Sequence, residues 1–203
     1  MAHEAGVLNA WAPEIVYDEQ HGEFLIFWAS TVPGKFPLTD GSSEEQYNHR
    51  MYSTTTKDFS SFTPTRLFYD PGFSVIDATV MRANGSNYLL VKDETRHPPK
   101  KHLRVAAADS LDGPFGVLGA PITPNGLWSE GPSALQVGEE VILYYDAYTA
   151  RHYGALRTRD MRHWEDVTHL MRFPGAGTAQ RMRHGSAFAV PAGLVERLRA
   201  VKA

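Results

Sequence analysis

The 203 residues carry 20 Lys and Arg against 23 Asp and Glu, interspersed, for a formal net charge of -3. No basic stripe for nucleic acid and no polybasic segment for a membrane surface is present. Cysteine is absent, which removes disulfides and thiolate metal sites. No apolar run approaches the length of a membrane span, and Met1 to Asn9 lacks the charged and apolar regions of a secretory signal. With 17 Gly, 13 Pro and 11% aromatic residues, the chain suits many short strands and tight turns in one domain.

The first unit opens on Trp11-Ala12-Pro13-Glu14-Ile15 and runs through Val16-Tyr17 to a turn at Asp18–Gly22. Phe24 to Trp28 reads as a buried strand, and Arg50 to Thr55 as a third. Between them lies a polar excursion, Thr31 to Arg50, whose length suggests a functional or mobile loop; the plain alternative is a solvated excursion. The second unit repeats the order, with strands Ile76–Met81, Tyr88–Lys92 and Leu103–Ala107 and a polar loop, Asp93–His102. In that loop His97, Lys100, Lys101 and His102 read as a solvated basic face. The third unit has Pro132–Val137, Val141–Tyr145 and Tyr153–Thr158, with Asp146 and Tyr148 expected at the rim. Three turn aspartates, Asp58, Asp109 and Asp160, stand 51 residues apart, each shortly before an aromatic residue (Phe62, Phe115, Trp164). A constant period with about four strands per unit predicts β-propeller blades in an all-β fold. The units are about 11–70, 76–125 and 130–175, in a single domain over 1–203. Arg183 to Val190 reads as the inner strand of a partial fourth unit, 183–191, and 192–203 as a short amphipathic helix with Leu194, Val195 and Leu198 on one face.

In a propeller the first strand of each blade lines the central channel. Trp11, Asp77, Glu130 and His184 stand near the starts of such strands and are expected to converge. Trp128 belongs to the same presented stretch, Trp128-Ser129-Glu130-Gly131-Pro132-Ser133. Two carboxylates across a small cavity raise each other's proton affinity, so that one can act as an acid. An aromatic face such as Trp11 suits the apolar side of a sugar ring. The plain alternative is that Asp77 and Glu130 only bond backbone amides at strand ends. No His-x-x-x-His pair falls on an expected helix and no Gly-x-Ser-x-Gly occurs, which argues against a zinc enzyme and a serine-hydrolase elbow.

The openings Trp11-Ala12-Pro13-Glu14-Ile15, Ile76-Asp77-Ala78, Glu130-Gly131-Pro132 and Arg183-His184-Gly185 resemble, in order and spacing, the blade openings of glycoside hydrolase family 43. That family is a five-bladed β-propeller of inverting glycosidases acting on arabinose-, xylose- or galactose-containing glycans. The resemblance implies Glu130 as general acid and Asp77 as the residue that orients it and tunes its pKa. It implies Trp11, Trp128, Arg183 and His184 at the sugar. No cofactor is required; some members hold a calcium ion in the channel through water and a histidine, here His184. The family's general base is an aspartate in an Arg-Asp-Pro-like opening of the first blade. No Arg-Asp-Pro occurs in this chain, so the expectation is a propeller without that blade and its base. Glu14 is the weaker stand-in. The rival readings are a sugar-binding propeller that has lost its chemistry and a protein-interaction propeller. Unpaired sheet edges in either case predict a homo-oligomer.

Overall fold

The computed structural model describes residues 6–175 and 182–201. Among them are eleven strands in three antiparallel sheets. The first sheet holds β1 (Trp11–Asp18), β2 (Glu23–Ser30), β3 (Arg50–Thr56) and β4 (Arg66–Tyr69) in sequence order. The second holds β5 (Val75–Ala83), β6 (Ser86–Asp93) and β7 (His102–Ala108). The third holds β8 (Glu130–Val137), β9 (Glu140–Ala147), β10 (His152–Thr158) and the two-residue β11 (Glu165–Asp166). One helix, α1 (Ala192–Ala200), closes the described chain; it is shorter than expected and buries none of its residues.

The sheets pack face to face. Strand alternation sends Val16, Leu25 and Phe27 of the first sheet into a core shared with Val80, Leu89 and Ala106 of the second. Leu90 and Leu103, on the other face of that sheet, meet Leu143 and Leu156 of the third. The opening strands lie side by side, β5 touching β1 on one flank and β8 on the other.

Two expectations need correction. The second unit has three strands, not four. Residues 116–122 follow the edge of β7, but only Gly116, Gly119 and Ile122 donate N–H groups, to Ala107, Val105 and Leu103. The outer segment advances three residues while β7 recedes two, and Pro121 has no N–H to give, so no regular ladder forms. Residues 183–190 are not a strand. Their backbone N–H groups at Gly185 and Ala187 donate to the Tyr153 hydroxyl and to Ser133 Oγ, and no described strand pairs with them.

A device recurs where each sheet opens. The pairing of β1 with β2 slips one residue between Trp11 and Glu14, that of β5 with β6 between Ile76 and Thr79, and that of β8 with β9 between Glu130 and Ser133. The bulged residue takes a left-handed backbone each time: Ala12 at φ 45°, Asp77 at 52°, Gly131 at 56°. His184 has φ 41° at the matching place of the fourth opening. Asp77 is therefore equivalent to Ala12, Gly131 and His184, whereas Glu130 is equivalent to Trp11, Ile76 and Arg183. The two carboxylates occupy neighbouring, not equivalent, positions of the repeat. Left-handed conformation costs a residue with a Cβ about 1–2 kcal/mol, and strain of this kind concentrates at functional sites.

The excursion between β2 and β3 is pinned at its base by Arg50, although many of its residues, Leu38 among them, stay exposed. Arg50 is buried, with its guanidinium 4.3 Å from the Phe36 ring centre. It donates to Thr39 Oγ1 at 2.9 Å and Asn48 Oδ1 at 2.9 Å, and pairs with Asp70. Of the periodic aspartates, Asp58 and Asp160 cap their turns by accepting two backbone N–H bonds each. Asp109 instead offers its backbone carbonyl to Asn87.

Candidate active site

The opening strands deliver Trp11, Asp77 and Glu130, and the strandless segment at 183–190 delivers His184, to one cavity of about 380 Å3, which Lys92, Glu94 and Tyr148 complete. One ligand atom from each of Asp77, Glu130 and His184 lies within 4.8 Å of the other two. His184 Nε2 is 3.0 Å from Glu130 Oε1 and 3.9 Å from Asp77 Oδ2. Gly131 N donates to Asp77 Oδ2 at 3.1 Å, tying the second sheet to the third. Gly131 is needed here for space as well as for its φ, because a Cβ would meet the His184 ring at 3.0 Å.

Glu130 meets three cationic donors. Lys92 Nζ is 3.0 Å from Oε2, while Arg183 Nη2 at 2.8 Å and His184 share Oε1. Arg183 also holds Asp146 at 2.7 Å, and Asp146 is fully buried, not at the rim. Lys92 and Lys101 are nearly inaccessible, at 3% and 1% side-chain exposure. Glu94 lies between them, 2.8 Å from Lys92 and 2.5 Å from Lys101. Lys101 is thus interior, against the expectation of a solvated basic face: Glu94 supplies the counter-charge that lets it leave water. The Lys92 ammonium stands 4.7 Å from the Tyr148 ring centre.

These surroundings reverse the expected proton distribution. Burial alone would raise Glu130, but the His184 hydrogen bond and the Lys92 charge outweigh it and bring its pKa down to about 2. Burial raises Asp77, with Glu130 adding to the effect and Lys92 and His184 opposing it. His184 is raised, chiefly by its bond to Glu130. Glu130 is therefore the anion and Asp77 the carboxyl with the greater proton affinity. The tuning of Glu130 that was assigned to Asp77 comes in the main from His184 and Lys92.

Trp11, 40% exposed, packs at a tilt against Tyr47 and His49, with ring centres 4.6 and 4.9 Å away and interplanar angles of 54° and 35°. Burial and the nearby cations Lys92 and Lys101 bring the His49 pKa down to about 3, so the ring beside the tryptophan is neutral. Trp128 does not line the cavity; it stands behind, 6.0 Å from Tyr148, with the Arg96 guanidinium 5.0 Å away. Glu14 lines an adjoining cavity of about 170 Å3 with Asp77 and His184 and receives the Thr79 hydroxyl at 2.7 Å. Burial pushes its pKa to about 7, against that bond. A larger groove of about 610 Å3 between the second and third sheets holds no carboxylate.

The calcium ion implied for His184 is poorly matched to the Asp77, Glu130 and His184 cluster. Calcium takes six to eight oxygen ligands. Here the imidazole nitrogen is spent on Glu130, whose charge Lys92 and Arg183 already neutralise.

Sequence reasoning missed Lys92, Glu94, Tyr47 and His49. The signal for the first was present: a lysine ending the apolar run Tyr88-Leu89-Leu90-Val91 marks a charge that the strand must bury.

The chain is 27% identical over 144 residues to an alpha-L-arabinofuranosidase of Bifidobacterium longum subsp. longum, a match that takes in 67% of this chain and 13% of that protein. Among solved structures it is similar to Zg3597, a family 117 glycoside hydrolase of Zobellia galactanivorans, with TM-score 0.61 and 16% identity over 80% of this chain and 56% of that one. It is likewise similar to a thermostable family-43 glycoside hydrolase, with TM-score 0.57 and 16% identity over 77% and 53%. The chain thus spans a little over half the length of these structural relatives. A family model described as "Probable glycosyl hydrolase domain", and designated as related to family 43, matches residues 1–193. The propeller-type fold, the converging openings and a match across nearly the whole length lead to one statement: the chain belongs to this family 43-related glycosyl hydrolase family.

Proposed function

We propose that the domain acts on O-glycosidic bonds of arabinose-, xylose- or galactose-containing glycans by inversion, with Glu130 as proton donor. The observation that carries the reading is the cluster of Asp77, Glu130 and His184 in a cavity walled by Trp11. The arabinofuranosidase relative supports the substrate class. In this reading Glu130 passes a proton to the glycosidic oxygen as the bond to the anomeric carbon breaks. A water then adds to the opposite face of that carbon and gives its proton to a second carboxylate. Inversion places the two carboxylates roughly 6.5–9.5 Å apart. Glu14, near neutrality at about 7, is the candidate base that the adjoining cavity offers. Asp77 orients Glu130 through the shared His184 and the Gly131 backbone. Arg183 and His184, at 51% and 41% side-chain exposure, yield Oε1 to the sugar.

One observation favours a second reading, a sugar-binding domain without turnover: Glu130 is held ionised near pH 2, which leaves little of its acid form at neutral pH. The test compares aryl glycosides with natural oligosaccharides in the unmodified chain and in Glu130→Gln. An activated leaving group needs little protonation, so Glu130→Gln damages oligosaccharide turnover by at least 100-fold more than aryl glycoside turnover. Equal losses on both would refute Glu130 as donor. Calorimetric sugar binding with no turnover of either substrate selects the binding reading.

A further inference from the structure

We propose that Lys92 is a positioning residue: it fixes Oε2 of Glu130 and thereby makes Oε1 the proton-donating atom presented to the sugar. The inference rests on the hydrolase reading of the site and adds a residue that the reading does not contain. The two oxygens of Glu130 have different neighbours. Oε2 faces inward to Lys92 at 3.0 Å. Oε1 faces Arg183 and His184, both on the 182–191 segment, which belongs to no sheet. A sugar can displace groups on such a segment. It cannot displace Lys92, whose ammonium is buried between Glu130, Glu94 and the ring of Tyr148.

The support behind Lys92 is a row of alternating charges. Glu94 pairs with Lys92 and with Lys101; Lys101 in turn reaches Glu44 at 3.3 Å, on the excursion between β2 and β3. Burying a charge costs several kcal/mol unless a partner offsets it. An interior held together only for stability is served as well by apolar side chains of similar volume. Two lysines and a glutamate aligned on one carboxylate make sense if that carboxylate must keep one rotamer and return readily to the anion after giving up its proton. Lys92 serves both needs, because its charge stabilises the anion that proton transfer leaves behind.

The other charged groups that face Glu130 are Asp77 from β5, which opposes ionisation, and Arg183 and His184 from the C-terminal segment, which favour it. Asp146 of β9 acts from behind Arg183. The test must therefore separate Lys92 from Arg183 and His184. Protein labelled with carbon-13 at the glutamate carboxyl is titrated by NMR, with the Glu130 resonance assigned by its loss in Glu130→Gln. The variants are Lys92→Met, Lys92→Arg and Arg183→Met.

In the unmodified chain Glu130 stays ionised down to about pH 2. Lys92→Met raises its midpoint by at least one unit, a tenfold gain in proton affinity. Lys92→Arg restores it, and Arg183→Met moves it less than Lys92→Met does. In turnover assays Lys92→Met lowers the limiting kcat of the protonated Glu130 form at least tenfold with KM within threefold, and moves the alkaline limb of the pH profile upward by the same shift. A Glu130 midpoint in the ordinary carboxylate range in the unmodified chain overturns the proposal, and this measurement needs no Lys92 variant to fold. So does an unmoved midpoint in folded Lys92→Met. Absence of turnover in the unmodified chain, with the NMR shifts as expected, refutes the hydrolase reading instead and leaves Lys92 as the group that fixes Glu130 in a binding site.

Discussion

Gly131→Ala tests the junction on which the site depends. Two costs arise. The residue sits at φ 56°, so any Cβ meets a backbone penalty of about 1–2 kcal/mol. The new methyl would also lie 3.0, 3.1 and 3.2 Å from Nδ1, Cγ and Cε1 of His184, closer than carbon packs. The imidazole is on the less confined side of the contact and gives way, loosening its 3.0 Å bond to Glu130. Because that pair is partly exposed, its loss adds only ~0.5–1 kcal/mol. Gly138→Ala is the matched control: φ is 60° and nothing lies within 4 Å of the added carbon, so it carries the backbone cost alone. In a domain of this size each kcal/mol moves Tm by about 2–4 °C. The expected result is a fall in Tm for both variants, larger by ~1–4 °C for Gly131→Ala. The His184 titration midpoint, followed by NMR, should fall toward its ordinary value in that variant only. Equal Tm losses with an unmoved His184 midpoint would refute the steric account of the junction.

Gly154→Ala should be costlier still. Gly154 lies opposite Tyr145 across β9 and β10, and a Cβ would fall 2.4 Å from Cζ of that buried ring. Overpacking of this kind costs about 1–3 kcal/mol, and Tyr145→Leu in the same chain should recover part of it; chemical denaturation of both variants reads the difference, and additive losses would count against the clash. The pair of His184 and Glu130 also sets a pH window. Raised His184 contributes stability that is complete below its ordinary value of 6.5 and lost as pH climbs through the higher folded value. Lowered Glu130 contributes stability that is complete above 4.5 and lost as pH falls toward about 2. The Tm difference between the unmodified chain and His184→Gln should therefore peak between about pH 4.5 and 6.5, and a flat difference from pH 3 to 8 would show that the pair contributes nothing.

Most strands were legible because their apolar alternation survives in sequence. Phe24 to Trp28 and Tyr88 to Lys92 bury as the pattern says. Residues 183–190 misled because alternation reports which side chains prefer burial, not whether a neighbouring strand exists to bond the backbone. The edge at 116–122 was hidden by its two glycines and Pro121, which permit a bonded segment without a ladder. Asp77, Glu130 and His184 were legible from placement alone. Their protonation was not, because Lys92, next to last in β6, stands 38 residues from the Glu130 that it pairs with. Lys101 was misread for a related reason: flanked by Lys100 and near His97 it looks solvated, and only Glu94, folded back onto it, shows otherwise.

The left-handed residue at each opening makes the four openings a set of interchangeable sockets. The backbone supplies the same outlet four times, and each outlet delivers whatever side chain stands there: a carboxylate at Asp77, an imidazole at His184, bare space at Gly131 and a methyl at Ala12. Ala12 borders both cavities yet offers them no chemistry. Asp and Asn tolerate this conformation better than most residues with a Cβ. A carboxylate installed at position 12 would thus enter the site one sheet away from Asp77 without redesign of the scaffold. The fold separates where a functional group is delivered from which group it is, so new chemistry can be written at one outlet while the others keep theirs.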